Sequence, residues 1–418
     1  MNTVFGHKSI YRHTYGLERK NLIYNETGFH YFYSSHGNDI ISISEEVYKE
    51  KTSCLENYKH VLNCFGEKEI LSEYYKKMLR EIEKYCEVNF KNFSLELNIY
   101  TISRELYITN KELHENYKLQ RYELYIKVNG TDCNEQTFSL YEFWDDFLNN
   151  INLYQYIYKE KIDLLRRKVN KRFSPIKIKD GCYPCVLSSS FAAIVIHESI
   201  GHLAEEDIYN KYLKNNCDNF AEFKEKLLIY DFAQYDNNHY SILPCPLLYD
   251  DIGEVCQDIL IYENDRFKAI LSSGGAGYKK TGNIRMGDSD FKPLIRMRNT
   301  GLLAGDDSLE EMISSIDFGY YLDIPDIGCV LPNSTFEISV LSAYEIKNGK
   351  ITRPTENIFV HSRTADFLSS IDMIGNNMSW MGSRCFKKND EVYVGIGAPS
   401  IKSILSFSHQ SVFGNIYK

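Results

Sequence analysis

The sequence predicts an α+β protein of two domains: an N-terminal mixed α/β domain over residues 1–178, and a C-terminal, mainly antiparallel β domain over 179–418 that carries one apolar helix. Three observations predict it. A chain of 418 residues exceeds the usual size of one hydrophobic core. A passage from Pro175 to Pro184 separates a part with mixed helical and strand periodicity from a part of short strands punctuated by Gly and Asn turns. A hydrophobic content of 43% against 25% charged residues supplies core material for both.

Taken in order, Glu67 to Val88 has a helical pattern, with Ile70, Leu71, Tyr74, Met78, Leu79 and Ile82 recurring three and four apart. Phe93 to Tyr100 alternates as a half-buried strand does, and so does Leu119 to Val128, with Asn129-Gly130 as a turn signal at its end. A second helix is expected from about Ser139 to Lys171, bending or breaking near Asn149-Asn150. The cations from Lys159 through Arg166, Arg167, Lys168, Lys171 and Arg172 to Lys179 read as its solvated C-terminal end, stopped by Pro175.

In the second part, strands are expected at Cys185–Leu187, Ile259–Tyr262, Phe267–Leu271, Phe336–Tyr344 and Glu391–Ile396, with helices near 191–204, 218–227 and 308–317. Asn348-Gly349, between two apolar runs, predicts a tight hairpin.

Composition excludes some classes. A net charge of −9 argues against a general nucleic-acid binder, which needs clustered cations. No apolar run has the length of a membrane span. The polar start from Met1 to Lys20 and 11 cysteines in no regular framework place the expected protein in a reducing cytoplasm.

The chemistry concentrates in His197-Glu198-Ser199-Ile200-Gly201-His202, directly after the apolar run Phe191 to Ile196. Two imidazoles and a carboxylate are what a hydrolytic zinc site needs. Histidines five apart lie about 140° apart around a regular helix, against about 40° for four apart. Either a π-bulge realigns them, or the helix ends near Gly201 and lets His202 swing back. The plainer alternative makes one histidine a core group and leaves Glu198 in water.

Weaker signals are Cys182-Tyr183-Pro184-Cys185, which lacks the strand-then-helix setting of a redox pair, and Asp250-Asp251-Ile252-Gly253, which reads first as a turn. Gly274-Gly275-Ala276-Gly277 misses dinucleotide spacing and reads as a glycine-rich turn or strand edge.

From Cys185 onward the chain resembles the TldD/PmbA metallopeptidase family, specifically its TldD-like, HExxxH-bearing branch. Several separated pieces agree in order: the His197–His202 motif with Ala204-Glu205-Glu206-Asp207 after it; Asp250 to Gly253 and Ile259 to Asn264; Arg296-Met297-Arg298-Asn299-Thr300; Gly305 to Glu311 with Phe318-Gly319-Tyr320-Tyr321; Phe336 to Pro354; Ile374-Gly375-Asn376; and Cys385-Phe386-Lys387 with Val394 to Lys402. The run Gly274 to Lys280, followed by Ile284-Arg285-Met286, departs from the family pattern.

The resemblance implies a zinc-dependent peptidase acting on unfolded or short peptides, with leader removal from a precursor peptide as one such task. It implies zinc ligands His197, His202 and Cys385, with Glu198 as the general base. It also implies a homodimer, or a heterodimer with a related metal-free subunit. Gly274 and Gly275 are candidate substrate contacts, through an extended peptide added as a strand. The alternative is a non-catalytic scaffold or peptide-binding partner that retains the metal motif.

Overall fold

The computed structural model describes residues 175–213, 227–236, 243–263, 266–287, 292–330, 334–388 and 390–414, and before them the backbone of six strands together with Lys84 and Glu87. The chain divides into two compact units, Met1–Asn170 and Lys171–Lys418.

In the first unit the strands are β1 (Thr3–Glu18), β2 (Asn21–His36), β3 (Asp39–Leu55), β4 (Asn92–Thr109), β5 (His114–Thr131) and β6 (Thr137–Asp146). They form one antiparallel sheet in the order β3-β2-β1-β4-β5-β6. The two expected strands are the first half of β4 and the middle of β5. Asn129-Gly130 is not a turn, because Asn129 pairs with both Ser94 and Ser139, and Gly130 with Phe93 and Phe138. Ladder bonds on both sides outweigh a local turn preference there.

The helix expected from Ser139 is corrected as well: Thr137–Asp146 is a strand. Phe138 and Leu140, followed by Tyr141, Phe143 and Trp144, satisfy period two with residues that favour strands, and pairing with β5 decides between the two periods. The rest of that helix and most of the basic stretch lie outside the described residues. So does the helix at Glu67–Val88, except Lys84 and Glu87, which are helical. Strands β1 to β3 were not anticipated, since their polar, tyrosine-rich segments show no clean alternation.

The second unit begins before residue 179, because Ile176 bridges to Thr355 and Ile178 is buried in this unit's core. Its strands are β7 (Gly181–Leu187), β8 (Leu228–Phe232), β9 (Ile259–Glu263), β10 (Arg266–Phe267), β11 (Ile284–Arg285), β12 (Leu294–Ile295), β13 (Asn299–Leu302) and β14 (Phe318–Val330). They continue with β15 (Thr335–Lys347), β16 (Lys350–Pro354), β17 (Ile358–Arg363), β18 (Met373–Ile374), β19 (Ser379–Lys387), β20 (Asp390–Ala398) and β21 (Ile401–Ser408).

One sheet runs β10-β9-β8-β13-β20-β19, parallel only between β13 and β20. A small one pairs β11 with β12, and a third closes on itself: β14 pairs with β7, β7 with β21, β21 with β17, β17 with β15, and β15 with β14. The second unit is therefore mainly antiparallel, as its turn-rich sequence predicts. At the β15–β16 hairpin Lys347 faces Lys350, and Asn348 and Gly349 adopt φ of 49° and 70°, the left-handed pair that an Asn-Gly turn supplies.

The helices are α1 (Ser189–Ile196), α2 (Glu206–Tyr212), α3 (Leu309–Ser314) and α4 (Thr364–Ser370). α3 answers the helix expected near 308–317 and starts with a capping box between Ser308 and Glu311. The helix expected at 218–227 falls almost wholly outside the described residues. Of the strand expected at Phe267–Leu271, only Phe267 lies in a strand, while Leu271 forms an isolated bridge to Glu205.

α1 sets the position of the site. It packs between β13, β19 and β20 of the first sheet and β7 and β14 of the closed one. Phe191, Ala192, Ala193, Val195 and Ile196 are all buried, as a helix flanked on two sides requires. Ser188 starts it, accepting from the Phe191 N–H at 3.2 Å and donating to the Asp323 carbonyl at 2.6 Å.

Candidate metal centre

Beyond Ile196 the helix changes pitch. His197–Gly201 is a π-helical turn, and the His202 N–H donates to the His197 carbonyl five residues back. A short 3-10 turn, His202–Ala204, then ends the helix, with Glu205 extended. Of the two geometries open to this spacing, the π-bulge brings the rings together. Their centroids are 4.9 Å apart at an interplanar angle of 75°.

Gly201 is required for space rather than for an unusual backbone, since its φ is −56°. A Cβ there would stand 2.1 Å from Met297 Sδ. The motif glycine and the middle of Arg296-Met297-Arg298 are thus packed against each other.

Cys385 arrives on β19. Its Sγ lies 3.4 Å from His202 Nε2, and ligand atoms of His197, His202 and Cys385 all fall within 4.8 Å of one another. All three residues are buried. Burial alone would push the Cys385 thiol up, but the His202 and His197 imidazoles beside it hold it well below the ordinary thiol value. Burial likewise works against a charged His202, yet Cys385 and Glu205 keep its affinity for a proton well above the usual imidazole range. The donors suit zinc: two imidazole nitrogens and a readily ionised thiol converge, and His197 Nδ1 is buried with no hydrogen-bond partner among the described residues.

Glu198 is buried beside the cluster, with Oε2 3.9 Å from His202 Nε2. Burial raises its carboxyl above the ordinary range, against the pull of His202 and His197. On β14, Gly328 leaves it room, because a Cβ at that position would meet Glu198 Cγ at 2.9 Å.

Three further residues have roles that sequence reasoning missed. Glu205 accepts from His202 Nδ1 at 3.3 Å and from Lys387 Nζ at 2.7 Å. Those partners hold its carboxyl at about 2, although burial alone would raise it. Arg296 donates from Nη2 to the Cys385 carbonyl and from Nη1 to the Asp390 carbonyl at 3.3 Å, fixing the backbone on both sides of the β19–β20 turn. Glu205, Arg296 and Lys387 all stand in segments matched to the family, but nothing local shows what they touch.

The glycine-rich segment is a 3-10 turn, Gly275–Gly277, preceded by Gly274 at φ 92°. It is not a strand edge. Its approach is already paired, with the Leu271 N–H donating to Ala204 O at 2.9 Å and Glu206 N–H to Leu271 O at 3.0 Å. Gly275 is packed so closely on Glu206 that a Cβ would meet Oε1 at 2.5 Å. Gly275 thus packs on the start of α2, and a Cβ at Gly274 would meet Lys280 Cγ at 2.7 Å. Cys182 and Cys185 do not form a pair: Cys182 is exposed and 3.2 Å from Ser406 Oγ, whereas Cys185 is buried and donates to the Tyr183 carbonyl. Asp250 to Gly253 is the expected turn, with Asp250 accepting from the N–H groups of Ile252, Glu254 and Ile284.

Two histidines and a cysteine whose donor atoms converge on one point, with an acid beside them at the end of a buried helix, form a cluster of the kind that can hold a metal ion. Residues 180–405 match the model of the PmbA/TldA metallopeptidase C-terminal domain, and the chain belongs to that family. It is 32% identical over 242 residues to a zinc metalloprotease TldD homolog of Saccharolobus solfataricus, a match covering 57% of this chain and 54% of the relative. It is also 32% identical over 232 residues to a metalloprotease TldD homolog of Buchnera aphidicola subsp. Acyrthosiphon pisum, covering 53% and 47%. The matched segment is thus about half the length of these curated relatives. The fold is similar to that of TldE from Thermococcus kodakarensis, with a TM-score of 0.61 and 14% identity across 96% of each chain.

Proposed function

We propose that this chain is a zinc-dependent peptidase that hydrolyses unfolded or short peptides, with removal of a leader from a precursor peptide as one such reaction. The convergence of His197, His202 and Cys385 within 4.8 Å carries the reading. Two relatives bearing metalloprotease names support it.

His197, His202 and Cys385 would hold the ion. When bound, zinc supplies Lewis-acid polarisation of a scissile carbonyl and an acidified water. Glu198 takes a proton at its carboxylate and returns it to the leaving amine. Its burial favours that role, because it raises the carboxyl above the ordinary range and so strengthens its hold on a proton. Glu205 keeps the His202 ring oriented.

Substrate enters as an extended chain recognised through its backbone, with Gly274 and Gly275 as candidate contacts. The working form is a homodimer or a heterodimer with a related metal-free subunit, in the cytoplasm.

The test measures zinc content and chelator-sensitive cleavage of an unstructured peptide for wild type and Cys385→Ala, each alone and mixed with a metal-free relative. Stoichiometric zinc and turnover in wild type, both lost in the variant, are expected. Equal zinc in both proteins would remove Cys385 from the ligand set. Zinc without turnover in any mixture would leave a scaffold that retains the metal motif.

A further inference from the structure

The ammonium of Lys387, two residues beyond Cys385, is held by three directed polar contacts. On β19, Cys385 and Lys387 are buried while Phe386 between them is 67% exposed, as alternation on one strand demands. Lys387 Nζ donates to Glu205 Oε2 at 2.7 Å, to Asp207 Oδ1 at 2.7 Å and to the Ile295 carbonyl at 3.1 Å. All three of its N–H directions are used.

The Glu205 contact has the consequence. Glu205 is fully buried, its Oε1 has no hydrogen-bond partner among the described residues, and its Oε2 takes both Lys387 and His202 Nδ1. A carboxylate buried this deeply with only a distant imidazole would be costly to keep in place. Lys387 anchors it from the strand that also delivers Cys385. The same Lys387 contact therefore ties the end of the HExxxH helix to the strand bearing the sulfur.

We propose that Lys387 is a positioning residue for the metal centre: by gripping Glu205 Oε2 it holds that carboxylate against His202 Nδ1 and so keeps Nε2 turned toward Cys385 Sγ. The inference rests on reading His197, His202 and Cys385 as metal ligands, and it adds a residue that touches neither the ion nor substrate. Lys388, one position on, is a natural control. Its Nζ reaches Asp207 Oδ2 at 3.3 Å, but its side chain is 63% exposed and pairs with Asp207 rather than with Glu205.

Wild type, Lys387→Met, Lys387→Arg and Lys388→Gln are compared as full chains, with folding checked by circular dichroism. Zinc affinity is read by competition with a chromophoric chelator. The thiolate-to-metal charge-transfer band is read after loading with cobalt(II). Lys387→Met should weaken zinc binding by about 10- to 100-fold and alter the cobalt band, as loss of an outer partner of a ligating histidine does. Lys387→Arg should restore most of the affinity, and Lys388→Gln should match wild type. A folded Lys387→Met with wild-type affinity and an unchanged band overturns the proposal.

Should Lys387→Met not fold, the double variant Lys387→Met with Glu205→Leu replaces the ion pair by apolar side chains and is read in its place. Wild-type affinity there overturns the proposal, and weakened affinity supports it. A wild-type protein that binds neither zinc nor cobalt overturns the metal reading itself, whatever the variants do.

Discussion

Arg296 donates from Nη2 to the backbone carbonyl of Cys385, so the Arg-Met-Arg-Asn-Thr stretch holds the strand that carries the sulfur. The guanidinium is fully buried and also reaches the Asp390 carbonyl. Arg296→Leu should cost about 2–4 kcal/mol in urea denaturation, because two buried carbonyls lose a charged donor. Zinc affinity should fall with it. A variant of unchanged stability and affinity would show that β19 is fixed without this arginine.

Glu198→Gln preserves size and removes the proton-accepting carboxylate. Zinc content should be retained, and peptide turnover should drop by about 100- to 10,000-fold. The same assay on wild type supplies the reference, and near-normal turnover in the variant would take the base role away from Glu198.

Gly201→Ala places a methyl group where Met297 Sδ now sits. Overpacking of this kind costs about 1–3 kcal/mol. Combining it with Met297→Ala should recover part of the loss, a coupling that a double-mutant cycle measures. Strict additivity would mean that the two side chains do not compete for the space.

Asp231 is the centre of a buried polar cluster. It accepts from Arg298 N and Nε at 2.9 and 2.8 Å, from Thr300 Oγ1 at 2.9 Å and from Asn283 Nδ2 at 2.9 Å, and both members of the ion pair are fully buried. Asp231→Asn leaves Arg298 buried without its counter-charge and should cost about 3–5 kcal/mol by chemical denaturation. A loss below about 1 kcal/mol would place the pair among those that contribute little.

His409 bridges two carboxylates, with Nδ1 2.6 Å from Asp180 and Nε2 3.0 Å from Glu356. The hydrogen bonds to Glu356 and Asp180 raise the imidazole above its ordinary value, and the His409 side chain lowers both carboxyls below theirs. The imidazole's contribution is complete below the ordinary histidine value and is lost as pH rises through the raised one. The carboxylates' contribution is complete above their ordinary values and is lost as pH falls through the lowered ones. The clasp therefore stabilises most between about pH 4 and 6.5. His409→Gln should lower the melting temperature at pH 5.5 more than at pH 8.5, and an equal effect at both would show that the imidazole charge plays no part.

Much of the second unit was legible because its signals are local. Asn348-Gly349 allows the backbone that a two-residue hairpin needs, and the β15–β16 turn follows. Histidines five apart demand either a π turn or a helix end, and the chain uses the π turn and then stops. In the first unit, Thr137–Asp146 fits both periods, and only its partner β5 makes it a strand. Gly274 and Gly275 were legible as a turn but not as packing against Glu206, since that contact depends on where α2 lies.

By itself the sequence determined the backbone chemistry: an apolar run that must be buried, an imidazole spacing that must distort a helix, and turn residues that chop the second half into strands. Tertiary structure alone decided which distant side chains meet. Cys385 lies 183 residues from His202, and Lys387 lies 182 from Glu205; both contacts exist because β19 pairs with β20 beside α1. A donor set assembled across that separation is fixed by sheet order and burial, which no periodicity within a segment records.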